Sequence, residues 1–474
     1  MTNRFPDTLV LIFSLIMLAQ LASYVLPPGE FTRTVVDNEG TVDQTYQPCD
    51  AGAEPPRTAR VVPGTYQRCT GVEALPWHAV LTAIPKTLEG SAGIIFFVLI
   101  IGGVVRLVRA TGAIDALIHW AVDRLESRPS WLVGGMTWLF AFGASTYGMS
   151  EEMVIFAPLM VTACIAMRLD AVVAVGILAV GYACGYACAA INPFSVHIAQ
   201  VIAGVTPLSG QLVRWLLLVV FVAVGVHHIL RYATRVAADR RASLVADIDY
   251  STGFELKSGM RFTGRLAAVL LLFLGGILVF VHGAFNYHWY LRELSAVFLG
   301  VGIMVAVVGQ IGLNRTARTF VEGAGDMIGV ALMIGFARTI ETVLDDARVL
   351  DTVVYGLSEP LSALPAHAAA LGMLFAQTVF NLFVPSGSGQ ASVAMPIMAP
   401  LSDIVGVTRQ TAVLAYQFGD GLTNMVIPTN AILMGLLAIG RIPYERWVRF
   451  IVPLLLKLYV LGGVALLAAV QFGF

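Results

Sequence analysis

Charge is what this sequence has least of. Of its 474 residues only 12% are Asp, Glu, Lys or Arg, about half the share found in a soluble globular domain. That scarcity excludes an ordinary water-soluble fold. There is no basic tract and the formal net charge is −1, which argues against nucleic acid as a partner. No small-residue cleavage site follows the first apolar run, "MTNRFPDTLVLIFSLIMLAQLASYVLPPGE", so it reads as a retained helix and not as a signal peptide. Cysteine is sparse, with five residues. Cys164, Cys184 and Cys188 lie in apolar segments, whereas Cys49 and Cys69 share the one long loop, 28–75. If that loop faces an oxidising compartment, those two are candidates for a disulfide, with two unpaired thiols as the alternative.

What is present is apolar. Hydrophobic residues make up 57% of the chain, mean hydropathy is +0.79, and runs long enough to span a bilayer recur from end to end. The class is an all-α polytopic membrane protein embedded in lipid. About nine spans are expected, near 8–27, 91–109, 171–203, 211–231, 266–282, 293–311, 327–345, 410–438 and 450–472. Two further segments, about 130–167 and 365–401, are too long for one crossing and are interrupted by polar residues. Basic residues concentrate on the cytoplasmic side of a membrane protein. Arg4, the cluster Arg106, Arg109, Arg124 and Arg128, the cluster Arg231, Arg235, Arg240 and Arg241, then Arg315 and Arg318, and finally Arg441, Arg446 and Arg449 all fall on one side under a single condition. Each broken segment must enter and leave by the same face. The charges therefore predict two re-entrant hairpins, a cytoplasmic N-terminus, an extracytoplasmic C-terminus and residence in the cytoplasmic (inner) membrane.

The sequence also repeats itself. "PKTLEG" (85–90) resembles "RTFVEG" (318–323), and "GAIDALI" from Gly112 resembles "RVLDTVV" from Arg348. "GMSEEMVIFAPLM" from Gly148 resembles "SGSGQASVAMPIM" from Ser386, and "YACGYACAAINPF" resembles "QFGDGLTNMVIPT". Order is kept at an offset of about 235 residues. One unmatched span between the copies reverses the second, which makes an inverted-topology repeat of the kind found in secondary transporters. The expected organisation is a first helix (1–27), an extracytoplasmic loop (28–75) and repeat 1 (76–231) with hairpin 130–167 and broken helix 171–203. A cytoplasmic loop with a linker helix (232–292) follows, then repeat 2 (293–474) with hairpin 365–401 and broken helix 410–438.

The most telling stretch is "FVPSGSGQASVAMP", Phe383 to Pro396, a polar knot at membrane depth. Irregular backbone survives there only when buried in protein or lining a wet cavity. Free N–H groups at half-helix starts attract carboxylates, and free carbonyls with Ser, Thr and Asn oxygens suit a small hard cation. The knot is expected to form half of a binding site, with "GASTYGMSEE", Gly143 to Glu152, as the other half. Substrate contacts are expected from Ser145, Thr146, Ser150, Glu151, Glu152, Ser386, Ser388, Gln390, Asp420 and Thr429. Cation contacts are expected from Ser150, Asn192, Ser388, Asn424 and Asp420. The plainer alternatives are helix capping by the hydroxyls and repair of freed backbone groups by the amides. Arg338 and Glu341 read as a structural ion pair near a helix end, and His197 as a packed polar residue.

These motifs, together with "FVPSGSGQASVAMPIMAPLSDIVGVTRQ" and "PDTLVLIFSLIMLAQLASYVLPPGEF", resemble the YfcC-like branch of the anaerobic dicarboxylate carrier family, within the ion-transporter superfamily. The resemblance covers nearly the whole chain. It implies a scaffold domain, a mobile transport domain, a homodimer and an elevator mechanism. In related carriers Ser-Asn-Thr triplets at the hairpins hold substrate carboxylate and sodium. Here the triplets are Ser-Gly-Ser (386–388) and Ser-Glu-Glu (150–152).

The residues assigned to tips and breaks are acidic or neutral, so a dianion would depend on helix dipoles and amides alone. A substrate with an amino or guanidino group could use Glu151, Glu152 or Asp420, its carboxylate facing the Ser386–Ser388 turn. The expectation is a secondary transporter of a small carboxylate-bearing solute, amino acids favoured over dicarboxylates. Its small-molecule substrate would be accompanied by a coupling cation (sodium or protons) or moved by exchange. No cofactor is expected beyond bound sodium ions, and no enzymatic activity. A Ser/His dyad from "GAST" (143–146) and His197 would explain neither the second hairpin nor the repeat. A channel would leave the paired tips and breaks without a purpose.

Overall fold

The computed structural model describes residues 8–36, 42–49, 60–62, 64–114, 116, 129–146, 148–192, 194–250, 263–287, 289 and 291–474. Arg4, Arg124, Arg128, Pro193 and three residues of "GAIDALI" (115, 117 and 118), which carried parts of the orientation and repeat arguments, lie outside the described residues.

The chain opens with α1 (Thr8–Val25), followed by a strap of short strands, β1 (Gly29–Glu30), β2 (Arg33–Val36), β3 (Val42–Tyr46), β4 (Arg60–Val61) and β5 (Gln67–Arg68). β1 pairs antiparallel with β5, and β2 lies between β3 and β4. None of these strands is legible in the sequence pattern, since most are two to four residues long. Cys49 and Cys69 are joined, Sγ–Sγ 2.08 Å.

Next come α2 (Ala79–Gly90), α3 (Ala92–Ala110), α4 (Pro129–Thr146), α5 (Met153–Ala166), α6 (Ala171–Ala187), α7 (Val196–Ile202) and α8 (Gln211–Ala238). α9 (Gly264–Tyr287) leads to α10 (Leu291–Val308), α11 (Leu313–Asp326), α12 (Ile328–Asp346) and α13 (Leu350–Ser358). The chain ends with α14 (Ala366–Asn381), α15 (Gly387–Ile404), α16 (Arg409–Thr423), α17 (Ala431–Ile439) and α18 (Tyr444–Phe472). Among the described residues, four helices (α3, α8, α10 and α18) are long and apolar enough to cross a membrane alone. Other expected spans appear as shorter apolar helices, including Ile12–Val25, Ala171–Ala187 and Gly264–Phe280.

Two helices form the centre. All of α6 is buried, and so is α16 from Thr411 to Thr423, as expected of a helix that is apolar or small all round. α6 is started by Asp170, whose carboxylate accepts from Val173 N at 3.0 Å, and α16 by Thr408, which accepts from Thr411 N at 3.1 Å. Small residues let them cross closely. A Cβ on Gly421 would stand 2.2 Å from Ala187 N. Gln417 donates to Ala189 O (2.8 Å) and Gln200 to Gln410 (3.1 Å), while Gly440 lies against Val175. The pairs 175 with 440, 187 with 421 and 200 with 410 place the two broken helices antiparallel.

Each hairpin rises beside the first half of its own broken helix. Gly181 packs on Thr137 and Phe140 of α4, and Gly185 on Ala141 and Ala144. In the second unit Gly419 packs on Gln377, and Asn381 donates to Asp420 O at 3.1 Å. Hairpin α4–α5 therefore has its feet at the Asp170 end and hairpin α14–α15 at the Thr408 end, where Ala369, Ala370 and Val407 cluster with Val470. The feet lie at opposite ends of the molecule and the tips meet in the middle. Packing falls into two groups. α3 contacts α10, α11 and α12, with α1 and α2 on α12; α4, α5, α8, α14, α15 and α18 surround α6 and α16. Links between the groups include α12 on α17 and α3 on α5.

Candidate substrate site between the hairpin tips

Tip 1 turns at Gly148, at φ +81°, where a Cβ would lie 2.6 Å from Phe194 and 2.9 Å from Asn192 Oδ1. Only glycine fits that left-handed, crowded position. Tyr186 holds the turn by donating to Gly148 O at 2.9 Å. Ser150 donates its hydroxyl to the Glu151 carboxylate and its N–H to Glu152 Oε2 (2.9 Å). Tip 1 thus binds its own glutamates just ahead of α5, where negative charge suits the helix dipole.

Tip 2 is built differently. Pro385 keeps the preceding Val384 out of helix, and Ser386 caps α15 by accepting from Gly389 N at 3.3 Å. Tyr416 donates to Gly387 O at 2.6 Å. A Cβ on Gly387 would stand 3.2 Å from Asp420 Oδ2 and 3.6 Å from Ser195 Cβ, so the second broken helix and the end of the first break both press against the start of α15.

The breaks are repaired by side chains. Asn192 donates to Ala144 O and accepts from Phe194 N, both at 2.8 Å. Ser145 accepts from Ala190 N (3.1 Å) and donates to Cys188 O (3.2 Å). In the second break Asn424 Oδ1 accepts from Asn381 (3.1 Å) and Asn430 (2.9 Å), and its Nδ2 donates to Asp420 Oδ1 (3.1 Å). Asn430 caps α17 through Leu433 N at 2.8 Å.

A cavity of about 100 Å³ separates the tips, walled by Ser150, Glu151 and Glu152 on one side and Ser386, Gly387 and Ser388 on the other, with Tyr182, Tyr186 and Arg338 between them. A larger one of about 660 Å³ shares Glu151, Ser386, Ser388 and Arg338 and continues past His197, Thr429 and Glu341 to Asp345 and Arg33 of the strap. Buried oxygens without a partner include Asp420 Oδ2, beside Gly387, and Ser195 Oγ, Asn381 Oδ1, Gln390 Oε1 and Thr429 Oγ1. Oxygen donors of this kind suit a hard cation.

Of the residues singled out in the sequence, Ser150, Glu151, Glu152, Ser386, Ser388 and Thr429 wall a cavity, and Asp420 stands directly behind Gly387. Ser145, Thr146, Asn192, Gln390 and Asn424 do not line either cavity. Thr146 bonds back to Phe142 O at 2.7 Å and Gln390 donates to Gln377 at 2.7 Å. Their polar groups serve backbone or neighbouring amides at the irregular segments, which have no other partners at that depth. Cys49 and Cys69 lie on the strap, away from the tips. Arg338, read from the sequence as a structural ion-pair partner of Glu341, walls both cavities, and Glu341 walls the larger one with it. Arg338 as a cavity residue, Ser195 and Asn381 are what the sequence reading did not assign to the site. The available signal was a single arginine in mid-helix, a serine just past a break and an asparagine just before a tip.

Two half-helix starts that face each other across a polar cavity, within an apolar helical body, define a multi-pass membrane transporter. Residues 5–471 match the C4-dicarboxylate anaerobic carrier (DcuC) family, and the chain belongs to that family. It is 32% identical over 494 residues to the Escherichia coli K12 protein named "Putative basic amino acid antiporter YfcC", covering 99% of this chain and 97% of that protein. It is 28% identical over 504 residues to an uncharacterized protein of Haemophilus influenzae Rd, covering 99% and 98%. Among solved structures, the YdaH transporter of Alcanivorax borkumensis aligns over 99% of both chains with a TM-score of 0.43 at 14% identity. MtrF of Neisseria gonorrhoeae, from a class of antimetabolite efflux pumps, aligns over 98% of this chain and 95% of its own with 0.42 at 15%.

Proposed function

We propose that this protein is a secondary active transporter carrying a small amino-bearing carboxylate, with basic amino acids favoured, across the cytoplasmic membrane. The observation that carries the reading is the cavity between the tips, where Glu151 and Glu152 face the Ser386–Ser388 turn. Two carboxylates in the wall repel a dianion and attract an ammonium or guanidinium group, whose charge they can neutralise at a depth where isolated charge is costly. The relative named as a basic amino acid antiporter points the same way, and exchange is the coupling mode that name implies. The oxygens around Asp420 offer a place for a sodium ion or a proton if transport is cation-coupled instead.

The mechanism is alternating access of the elevator type. The group around α6 and α16 carries the site past the group of α3, α10 and α12, and a homodimer supplies the fixed frame. Proteoliposomes loaded with arginine or lysine should take up the labelled amino acid by exchange, and dicarboxylates should compete poorly. Uptake of succinate in place of arginine and lysine would reverse the substrate assignment. The N-terminus is cytoplasmic and the C-terminus extracytoplasmic. Single cysteines in a cysteine-free background should then be labelled from the cytoplasm at Ser130 and from outside at Ala366, and labelling of both from one side would overturn the topology.

A further inference from the structure

We propose that Arg338 is the residue that reads the substrate's carboxylate, and that it fixes the direction in which the substrate lies between the tips. The inference rests on the transport reading and deepens it. Among the described residues walling the smaller cavity, Arg338 is the one basic side chain. It also walls the larger cavity, which places it where the two meet. The opposing charges are Glu151 and Glu152, held at tip 1 by Ser150. A guanidinium presents a planar fork that matches a carboxylate bidentately, a recognition that neither serine hydroxyls nor a helix start can copy. An amino acid is then bound end to end, its carboxylate on Arg338 and its cationic groups towards the glutamates.

Position adds a second consequence. Arg338 belongs to α12, which packs on α1, α2 and α3 and also meets α17 across the boundary, whereas both tips belong to the group around α6 and α16. The substrate therefore bridges the two groups. The carboxylate contact exists only while α12 and the tips are in this register, so Arg338 contributes affinity in one access state and not in the other.

The plainer role for Arg338 is to neutralise the glutamates without touching substrate. Decarboxylated analogues separate the two. Binding of arginine and agmatine, and of lysine and cadaverine, is measured by thermal shift and by proteoliposome exchange on the full-length protein and on Arg338→Gln and Arg338→Lys. Arg338→Gln should weaken the amino acids about ten- to a hundred-fold, the range for one hydrogen-bonded charge, while the amines change less than about two-fold. Arg338→Lys keeps the charge, folds with the site balanced, and should still lose discrimination between arginine and agmatine. Equal losses for acids and amines in either variant, or no loss, would overturn the assignment. Should the wild type prefer succinate, the amino-acid reading fails on its own. Arg338 is then judged by whether Arg338→Gln weakens succinate and not its diamide, and the assignment falls if it does not. Failure of the wild type to bind any carboxylate-bearing compound would also overturn it.

Discussion

The two hairpins follow one backbone plan and put opposite chemistry at their tips. Each rises beside the first half of a broken helix, turns at the break and starts a second helix towards the centre. Tip 1 spends the N–H and hydroxyl of Ser150 on its own glutamates, whereas tip 2 offers a glycine and serines, with Asp420 set behind them. A symmetric frame with identical tips would bind a symmetric ligand in either direction. The repeat supplies geometry, and its divergence makes one tip acidic and the other hydroxyl-bearing.

The sharpest way to break the comparison is to remove the charge from tip 1. A double Glu151→Gln, Glu152→Gln variant should lose about a hundred-fold or more in affinity for a basic amino acid, since each charged hydrogen bond contributes roughly 1.5–3 kcal/mol. Ser386→Ala at tip 2 should lose only about five-fold, as a helix cap contributes about 1 kcal/mol. Equal effects in exchange assays would mean that the tips share the work. The turns differ too. Gly148→Ala forces a left-handed position and a contact with Phe194 and should destabilise by about 1–2 kcal/mol or more. Gly387→Ala meets Asp420 at 3.2 Å and otherwise only ordinary contacts, Tyr416 at 3.5 Å and Ser195 at 3.6 Å, so its unfolding midpoint should fall less while cation dependence shifts more. A reversed order in thermal unfolding would show that tip 2 is the tighter turn.

The breaks allow a finer test. Asn192→Ala strands Ala144 O and Phe194 N, and Asn424→Ala strands groups on Asn381, Asn430 and Asp420. Buried orphans cost roughly 1–3 kcal/mol each, so Asn424→Ala should lower the unfolding midpoint more. The smallest effect belongs far from either tip. At the Asp170 end Arg446 pairs with Asp247 and holds its carboxyl down at about 2. A depressed carboxyl stabilises the fold above its unfolded value near 4 and loses that contribution as pH falls through about 2. Asp247 is exposed and Arg446 half-buried, so the pair's share is below about 1 kcal/mol. Asp247→Asn should barely move the midpoint at pH 7, and the difference from wild type should vanish near pH 2.

Sequence reasoning reached the interrupted helices and their repetition because polar residues inside apolar runs leave few structural options, and because the second copy kept the spacing of the first. Glu151, Glu152, Ser386 and Ser388, named because a tip must expose its first turn, wall a cavity, whereas Ser145 and Thr146 sit at the end of α4, where their hydroxyls turn back onto backbone carbonyls. Arg338 was unreadable for a different reason. A single charge in an amphipathic helix can face a partner, a cavity or the helix end, and only the arrangement of α12 against the tips decides. The strap strands were invisible because Phe31, Arg33 and Tyr66 are fixed by distant residues on α13, not by any local pattern.

That attachment ties the second hairpin to the strap. Asp351, at the start of α13 and 2% exposed, accepts from Phe31 N at 3.0 Å and pairs with Arg33 at 2.8 Å. α13 is the joint between α12 and the arm α14. The strap holds this joint at more than one residue, Asp351 through Phe31 and Arg33 and Thr352 through Tyr66 and Pro27, so the stretch that leads into α14 and tip 2 is stitched to the opening of the chain.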